Sequence, residues 1–158
     1  MNGYQFSVGP SSSICPRNVY CGRKAVLAFT RDGTVEGKAL PERTIAIDPT
    51  YSPAWEALAQ ALMHLYLQPY SEHQGTPAML QQARAALEKA VAPDPHFSSA
   101  HSTLGWVLVW AREHEASFEA FRKAIGLNGR NAAGYRGYLV LRGAASRGDR
   151  GFGARGAP

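Results

Sequence analysis

The sequence predicts an all-α fold in which antiparallel helical hairpins stack side by side between disordered ends. Three observations carry that prediction. A closing motif recurs, since Thr44-Ile-Ala-Ile-Asp-Pro-Thr-Tyr51 is echoed by Ala90-Val-Ala-Pro-Asp-Pro-His-Phe97 and, more faintly, by Ala124-Ile-Gly-Leu-Asn-Gly-Arg-Asn131. The echoes are spaced regularly: Pro95 and Gly129 lie 34 positions apart, and Pro49 and Pro95 lie 46 apart, which is 34 plus an insertion of 12. Between the motifs, apolar residues recur every three and four positions, the period of one helical face. Units of this length cannot bury an apolar face alone and do so by stacking on their neighbours.

The elements follow in chain order. Residues 18–30 read as a helix, Asp32-Gly33 as a turn and Thr34 as the cap of a helix through Ile47. Pro41 falls inside that second segment, where it removes a hydrogen bond and clashes with the preceding turn at a cost of about 3 kcal/mol. A kink, or a loose first half, is expected there. Pro53 suits the first turn of a helix to Tyr66, because its missing N–H is not needed at that place. The insertion is visible as Gln68-Pro-Tyr-Ser-Glu-His-Gln-Gly-Thr-Pro77, rich in turn formers, and should form a long loop inside one hairpin. Thr76 and Pro77 then read as cap and first residue of a helix through Val91, with Leu80, Ala83, Leu87, Ala90 and Val91 on one face. Ser98 is placed to cap a helix through Ala111, and residues 116–127 supply the next, striped by Phe118, Phe121, Ala124 and Ile125. A last helix starts near Asn131 and reaches Leu141. The helical repeat domain thus spans 18–142, its best repeats being 52–95 and 98–129. Residues 1–17 form a flexible lead-in and 143–158 a disordered Gly/Arg tail, with Phe152 its one bulky side chain.

Composition narrows the function classes. The 158 residues suit one domain, and an apolar fraction of 45% allows a core. No apolar run approaches the roughly 18 residues of a membrane span; the richest, residues 104–111, stops at Arg112 and Glu113. The first fifteen residues hold no Lys or Arg and no apolar block, so no secretory signal is read there. Cys15 and Cys21 match neither a disulfide framework nor a C-x-x-C pair, which points to a reducing, cytoplasmic setting. The net charge of +5 is local: residues 1–129 hold 11 basic and 11 acidic side chains, while 130–158 hold six arginines against Asp149.

With the units laid out, the chain resembles the tetratricopeptide-repeat (TPR) family over residues 38–141. The best unit carries Leu104-Gly105 in its first helix and Ser117, Phe121 and Ala124 at small, aromatic and small positions of its second. The middle unit has Trp55, then Leu58-Ala59, then Ala83, Leu87, Ala90 and the closing Pro95. Thr44, Pro41 and Gly129 depart from the pattern, standing where a small residue, an aromatic and a closing proline are usual. A narrower similarity, carried by residues 18–49, the long inner loop and His101-Ser-Thr-Leu-Gly-Trp-Val-Leu-Val-Trp-Ala-Arg-Glu-His114, is to the repeat region of bacterial multidomain regulators. In those it follows a class III adenylate or guanylate cyclase domain or a winged-helix domain. No such domain is read in this sequence.

The family resemblance implies a protein-binding scaffold without catalytic residues or cofactor, holding a peptide or partner helix in a groove lined by the first helix of each hairpin. Its residues here are Glu56, Gln60, Met63 and His64, then Ser99, Ser102, Trp106, Val109 and Trp110. Trp106 and Trp110 share a helical face; they line the groove as binding anchors or pack between hairpins as core, and the sequence leaves both open. Other chemistry is weakly supported. The five histidines form no zinc-spaced cluster, and solvated histidines are the simpler account. Ser11-Ser-Ser13 near Cys15 lacks a nucleophile elbow, and Gly151-Phe-Gly-Ala-Arg-Gly156 has dinucleotide-loop spacing without a strand before it. Two alternatives remain: a stand-alone or truncated regulatory region of a cyclase or transcription regulator, and nucleic-acid binding by the arginine tail, which is sparse for that role. Self-association is a further partner mode.

Overall fold

The computed structural model describes residues 11–27, 30–67, 75–132 and 134–140. Six helices follow one another: α1 (Ser11–Val26), α2 (Arg31–Ile47), α3 (Ser52–Leu67), α4 (Pro77–Val91), α5 (Ser98–Trp110) and α6 (His114–Leu127). A 3-10 turn (Gly129–Asn131) leads into a helical segment at 134–140. No strand occurs among the described residues. Residues 1–10 of the flexible lead-in expected at 1–17, the tail expected at 143–158, the inner loop at 68–74 and Leu141 lie outside them.

The closing motifs explain the punctuation. Asp48 Oδ1 accepts from the Thr50 N–H at 2.9 Å and from its hydroxyl at 2.7 Å. Asp94 Oδ1 accepts from the His96 N–H, and Asn128 Oδ1 from the Arg130 N–H, each at 3.1 Å. All three are the same turn, in which a short polar side chain bonds the backbone two residues on; Asp48 and Asn128 stand at the C-caps of α2 and α6, and Asp94 lies three residues past the end of α4. These bonds also hold the Asp48 carboxyl below its ordinary pKa, the Thr50 hydroxyl contributing most.

Four expectations at helix starts are corrected. α1 begins at Ser11, so residues 11–17 are helical and Pro16 lies inside the helix. Val19, Gly22 and Val26 of this helix are buried. The cap of α2 is Thr30, whose hydroxyl accepts from the Gly33 N–H at 3.1 Å; Asp32 and Gly33 belong to the first turn rather than to a loop, and position 34 lies inside the helix. Only glycine fits at 33, because a Cβ there would stand 2.8 Å from Thr30 Oγ1 and 2.5 Å from the Ala25 carbonyl of α1. Ser98 is the first helical residue, with Phe97 at the cap position, and Thr76 occupies its cap position without a side-chain bond. α6 starts two residues before the expected Ala116.

Pro41 is buried inside a continuous α2. Its ring sits over Gly22 of α1, where a Cβ would come within 3.1 Å of Pro41 Cδ. Apolar burial at this glycine contact offsets the lost backbone bond. Thr44 is likewise buried and returns its hydroxyl to the Leu40 carbonyl at 3.1 Å.

Sequential helices pair as hairpins, α1 with α2, α3 with α4 and α5 with α6, and α2 packs on α3 as α4 packs on α5. α1 also touches α3, and α3 touches α5, whereas no contact joins α2 to α4 or α4 to α6. The odd helices therefore converge and the even ones splay, which makes the α1–α3–α5 side the inner face of the stack. The main core lies between hairpins two and three, where Ala59, Ala83, Leu87 and Ala90 are buried and Trp55, Leu58 and Leu104 pack against them. At Gly105 a Cβ would meet the Phe121 ring at 2.7 Å, so the bare backbone lets α5 and α6 close on that aromatic.

Candidate functional site

The inner face is organised around Glu56 of α3, which is 0% exposed. Its Oε1 accepts three hydrogen bonds: from Gln60 Nε2 at 2.6 Å, Thr103 Oγ1 at 2.9 Å and Ser99 Oγ at 3.0 Å. Its Oε2 pairs with the Arg23 guanidinium of α1. One carboxylate thus ties together the three odd helices. Burial lowers the Arg23 pKa, with Tyr51 opposing, and the group stays cationic because its ordinary value is so high. Glu56 is therefore internal and not, as expected, a groove-lining side chain. Buried charge persists where a partner and several hydrogen bonds satisfy it.

Helical spacing extends the face from this anchor. Gln60 and Met63 lie four and seven positions beyond Glu56, and His64 four beyond Gln60. Met63 packs partly on the core, and His64 is half-buried, which pushes its pKa down. On α5, Trp110 lies seven positions beyond Thr103 and is 36% exposed. With Tyr66, Leu80, Val107, Leu108 and Ala111 it lines a cavity of about 330 Å³, rimmed by an Arg84–Glu113 ion pair at 3.2 Å.

The two tryptophans separate. Trp106 meets Phe121 edge-on at 5.6 Å between centroids and is covered by the 134–140 segment, where a Cβ at Gly137 would lie 3.1 Å from its ring. Ser102 is under the same segment, beside Gly134. Tyr135 and Tyr138 pack on Phe118 and Phe121, so this segment takes the place of a further first helix. Val109 is half-buried and Ser99 is engaged by Glu56.

The hairpin geometry has clear parallels. The Sgt2 TPR domain from Aspergillus fumigatus superposes with a TM-score of 0.62 at 19% identity, over 99% of this chain and 92% of that one. The fold is that of a tetratricopeptide-repeat solenoid. An O-GlcNAc transferase mutant from Thermobaculum terrenum gives a TM-score of 0.66 at 20% identity over 84% of this chain, which spans 22% of that one. MamA gives 0.52 at 22% identity, over 83% of this chain and 74% of that one. No protein-family model matches the sequence, and no curated protein does either.

Within this TPR stack the packing residues Ala59, Ala83, Leu87, Ala90, Phe121 and Ala124 are all buried. Trp55 is turned to the outer side, donating its indole N–H to the Pro49 carbonyl at 2.8 Å beneath Lys89. Sequence reasoning missed the share of α1 in the inner face. The side of α1 that packs on α3 carries Arg23, paired with Glu56, and Val19, which clusters with Ala54 and Ala57; Leu27, four positions after Arg23, is 63% exposed. No motif in the sequence marks it, since the Arg23–Glu56 pair joins residues of two different hairpins. Among the described residues no helix is long and apolar enough to cross a membrane, and no group of three or more metal-ligating side chains converges.

Proposed function

We propose that this chain is a non-catalytic protein-interaction scaffold that holds an extended peptide or a partner helix along its inner face. The observation that carries the reading is that this face, built by α1, α3 and α5, leaves Leu27 and Trp110 exposed along a buried polar cluster that ties the three helices together. Exposed aromatic and large aliphatic side chains on a rigid platform are the groups that dominate binding at protein interfaces. Gln60, Met63, His64 and Val109 lie between them, whereas Trp106, Ser102 and Ser99 support the platform from within. TPR-fold neighbours agree with a scaffold, and a partner of protein or peptide nature follows from it.

The test is selection of peptides from an unbiased displayed library, followed by titration of the synthesised winners against the full chain. Leu27→Ala and Trp110→Ala should each weaken binding about ten-fold or more. Gln82→Ala, on the exposed outer side of α4, should leave it unchanged. Winners that bind all variants alike, or a library that yields none, would remove the inner face as the docking surface.

A further inference from the structure

We propose that the cavity beside Trp110 binds a neutral, planar aromatic group of about the size of indole. The site needs no peptide on the inner face, so it goes beyond the scaffold reading. It lies where the last turn of α3, the first two turns of α4 and the end of α5 meet. An apolar cavity of about 150 Å³ takes up one benzene, so about 330 Å³ gives room for two fused rings. Its walls are aromatic and aliphatic: Tyr66 from α3, Leu80 from α4, and Leu108 and Trp110 from α5. Two close approaches hold them. Gly75 brings the chain against the end of α3, where a Cβ would stand 2.7 Å from Tyr66 Cδ2. Beyond Trp110, Arg112 takes a left-handed φ of 63°, and the Glu113 N–H donates to the Leu108 carbonyl at 2.9 Å. That turn is strained for a residue other than glycine, and it sets Glu113 on the rim; such strain collects at functional sites.

The rim disfavours charged ligands. Arg84 Nη1 donates to both oxygens of Glu113, at 3.3 and 3.2 Å, and Arg84 Nε lies 3.6 Å from Glu88. A bound anion competes with two carboxylates for one guanidinium, and a bound cation draws Glu113 away from it. Either leaves a charge beside apolar walls without its partner. Gln81, also on the rim, offers an amide N–H and a carbonyl, enough for one polar group at the edge of a neutral ring. Trp110 keeps 36% of its surface exposed, so a ring stacked on it buries aromatic surface that the fold leaves in water.

Indole, tryptamine and indoleacetate share a ring and differ in charge, and they serve as probes in nuclear magnetic resonance titrations of the isotope-labelled full chain. Indole should saturate a single site and shift the Trp110 indole N–H and the Gln81 amide, with both charged analogues about five-fold or more weaker. Ala111→Leu fills the cavity while leaving Trp110 in place, and should weaken indole about ten-fold or more with the melting temperature kept or raised. Trp110→Ala removes a wall at an exposed position and should weaken indole as well, which keeps the test decisive if the leucine variant fails to fold. N-acetyltryptophanamide carries the same ring on a peptide unit. Binding as tight as indole makes a partner's side chain the source of the ring, and binding about ten-fold weaker makes it a free small molecule. No saturable shift with indole, equal binding by the parent and both variants, or either charged analogue binding tighter than indole would overturn the proposal. Selected peptides that still bind Ala111→Leu would leave the scaffold reading in place whichever way the indole titration falls.

Discussion

If one buried carboxylate joins three helices, removing it should cost far more than altering its charge. In Glu56→Ala the hydroxyl of buried Thr103 loses its acceptor, and an orphaned buried donor costs about 1–3 kcal/mol. Ser99 and Gln60 are only half-buried and turn partly to water, adding smaller penalties. The Arg23 side chain is 36% exposed and rotates into solvent, so its charge is not stranded. Together with the cavity left behind, the expected loss is about 3–4 kcal/mol. Glu56→Gln keeps the volume and a carbonyl oxygen for Ser99 and Thr103, and gives up the pairing with half-exposed Arg23, a loss of about 1–2 kcal/mol. An unfolding entropy near 2.1 cal/mol/K per residue over about 120 ordered residues converts 1 kcal/mol to about 4 °C. The melting temperature followed by circular dichroism should therefore fall by about 12–16 °C for Glu56→Ala and about 4–8 °C for Glu56→Gln. Equal shifts, or an alanine variant within about 4 °C of the parent, would refute the view that this cluster ties the odd helices together.

Two glycines should respond with opposite signs. Gly105→Ala drives a methyl against the Phe121 ring and should destabilise by about 1–3 kcal/mol in urea titration, whereas Gly126→Ala, with open space around it, should stabilise by about 0.5–1 kcal/mol. Arg112, at φ 63°, is the left-handed residue of a closure in which the Glu113 N–H donates to the Leu108 carbonyl and the Arg112 N–H to that of Val109. Arg112→Gly should stabilise by about 0.5–1 kcal/mol, the relief of backbone strain exceeding glycine's extra unfolded entropy. Half-burial lowers the pKa of His64, so below about pH 6.5 the unfolded chain binds more protons than the folded one. Stability is then complete above that range and lost as pH falls; melts between pH 7.5 and 5.5 should show the fall, and His64→Gln should reduce it.

The number of hairpins, their pairing and the close approaches at Ala59, Ala83, Gly105 and Ala124 were legible in the chain, because they follow from period and from side-chain size. The Asp-Pro echoes announced the helix ends, and the structure supplies the bond behind each. Helix starts were less legible: Thr30 and Thr34 are equally good caps as residues, and the packing of α1 on α2 selects the first. The same applies to Pro41, whose cost in isolation is real and whose burial over Gly22 outweighs it.

What the sequence by itself determined is which residues share a face of each helix, a matter of local geometry. What covers that face was decided only by the tertiary structure. Glu56 and Trp106 stand at positions that the family resemblance assigns to a groove, yet Arg23 from 33 positions upstream packs on the first and the 134–140 segment from downstream on the second. Burial is a property of neighbours brought together by the fold, and a one-dimensional period holds no record of which neighbours arrive.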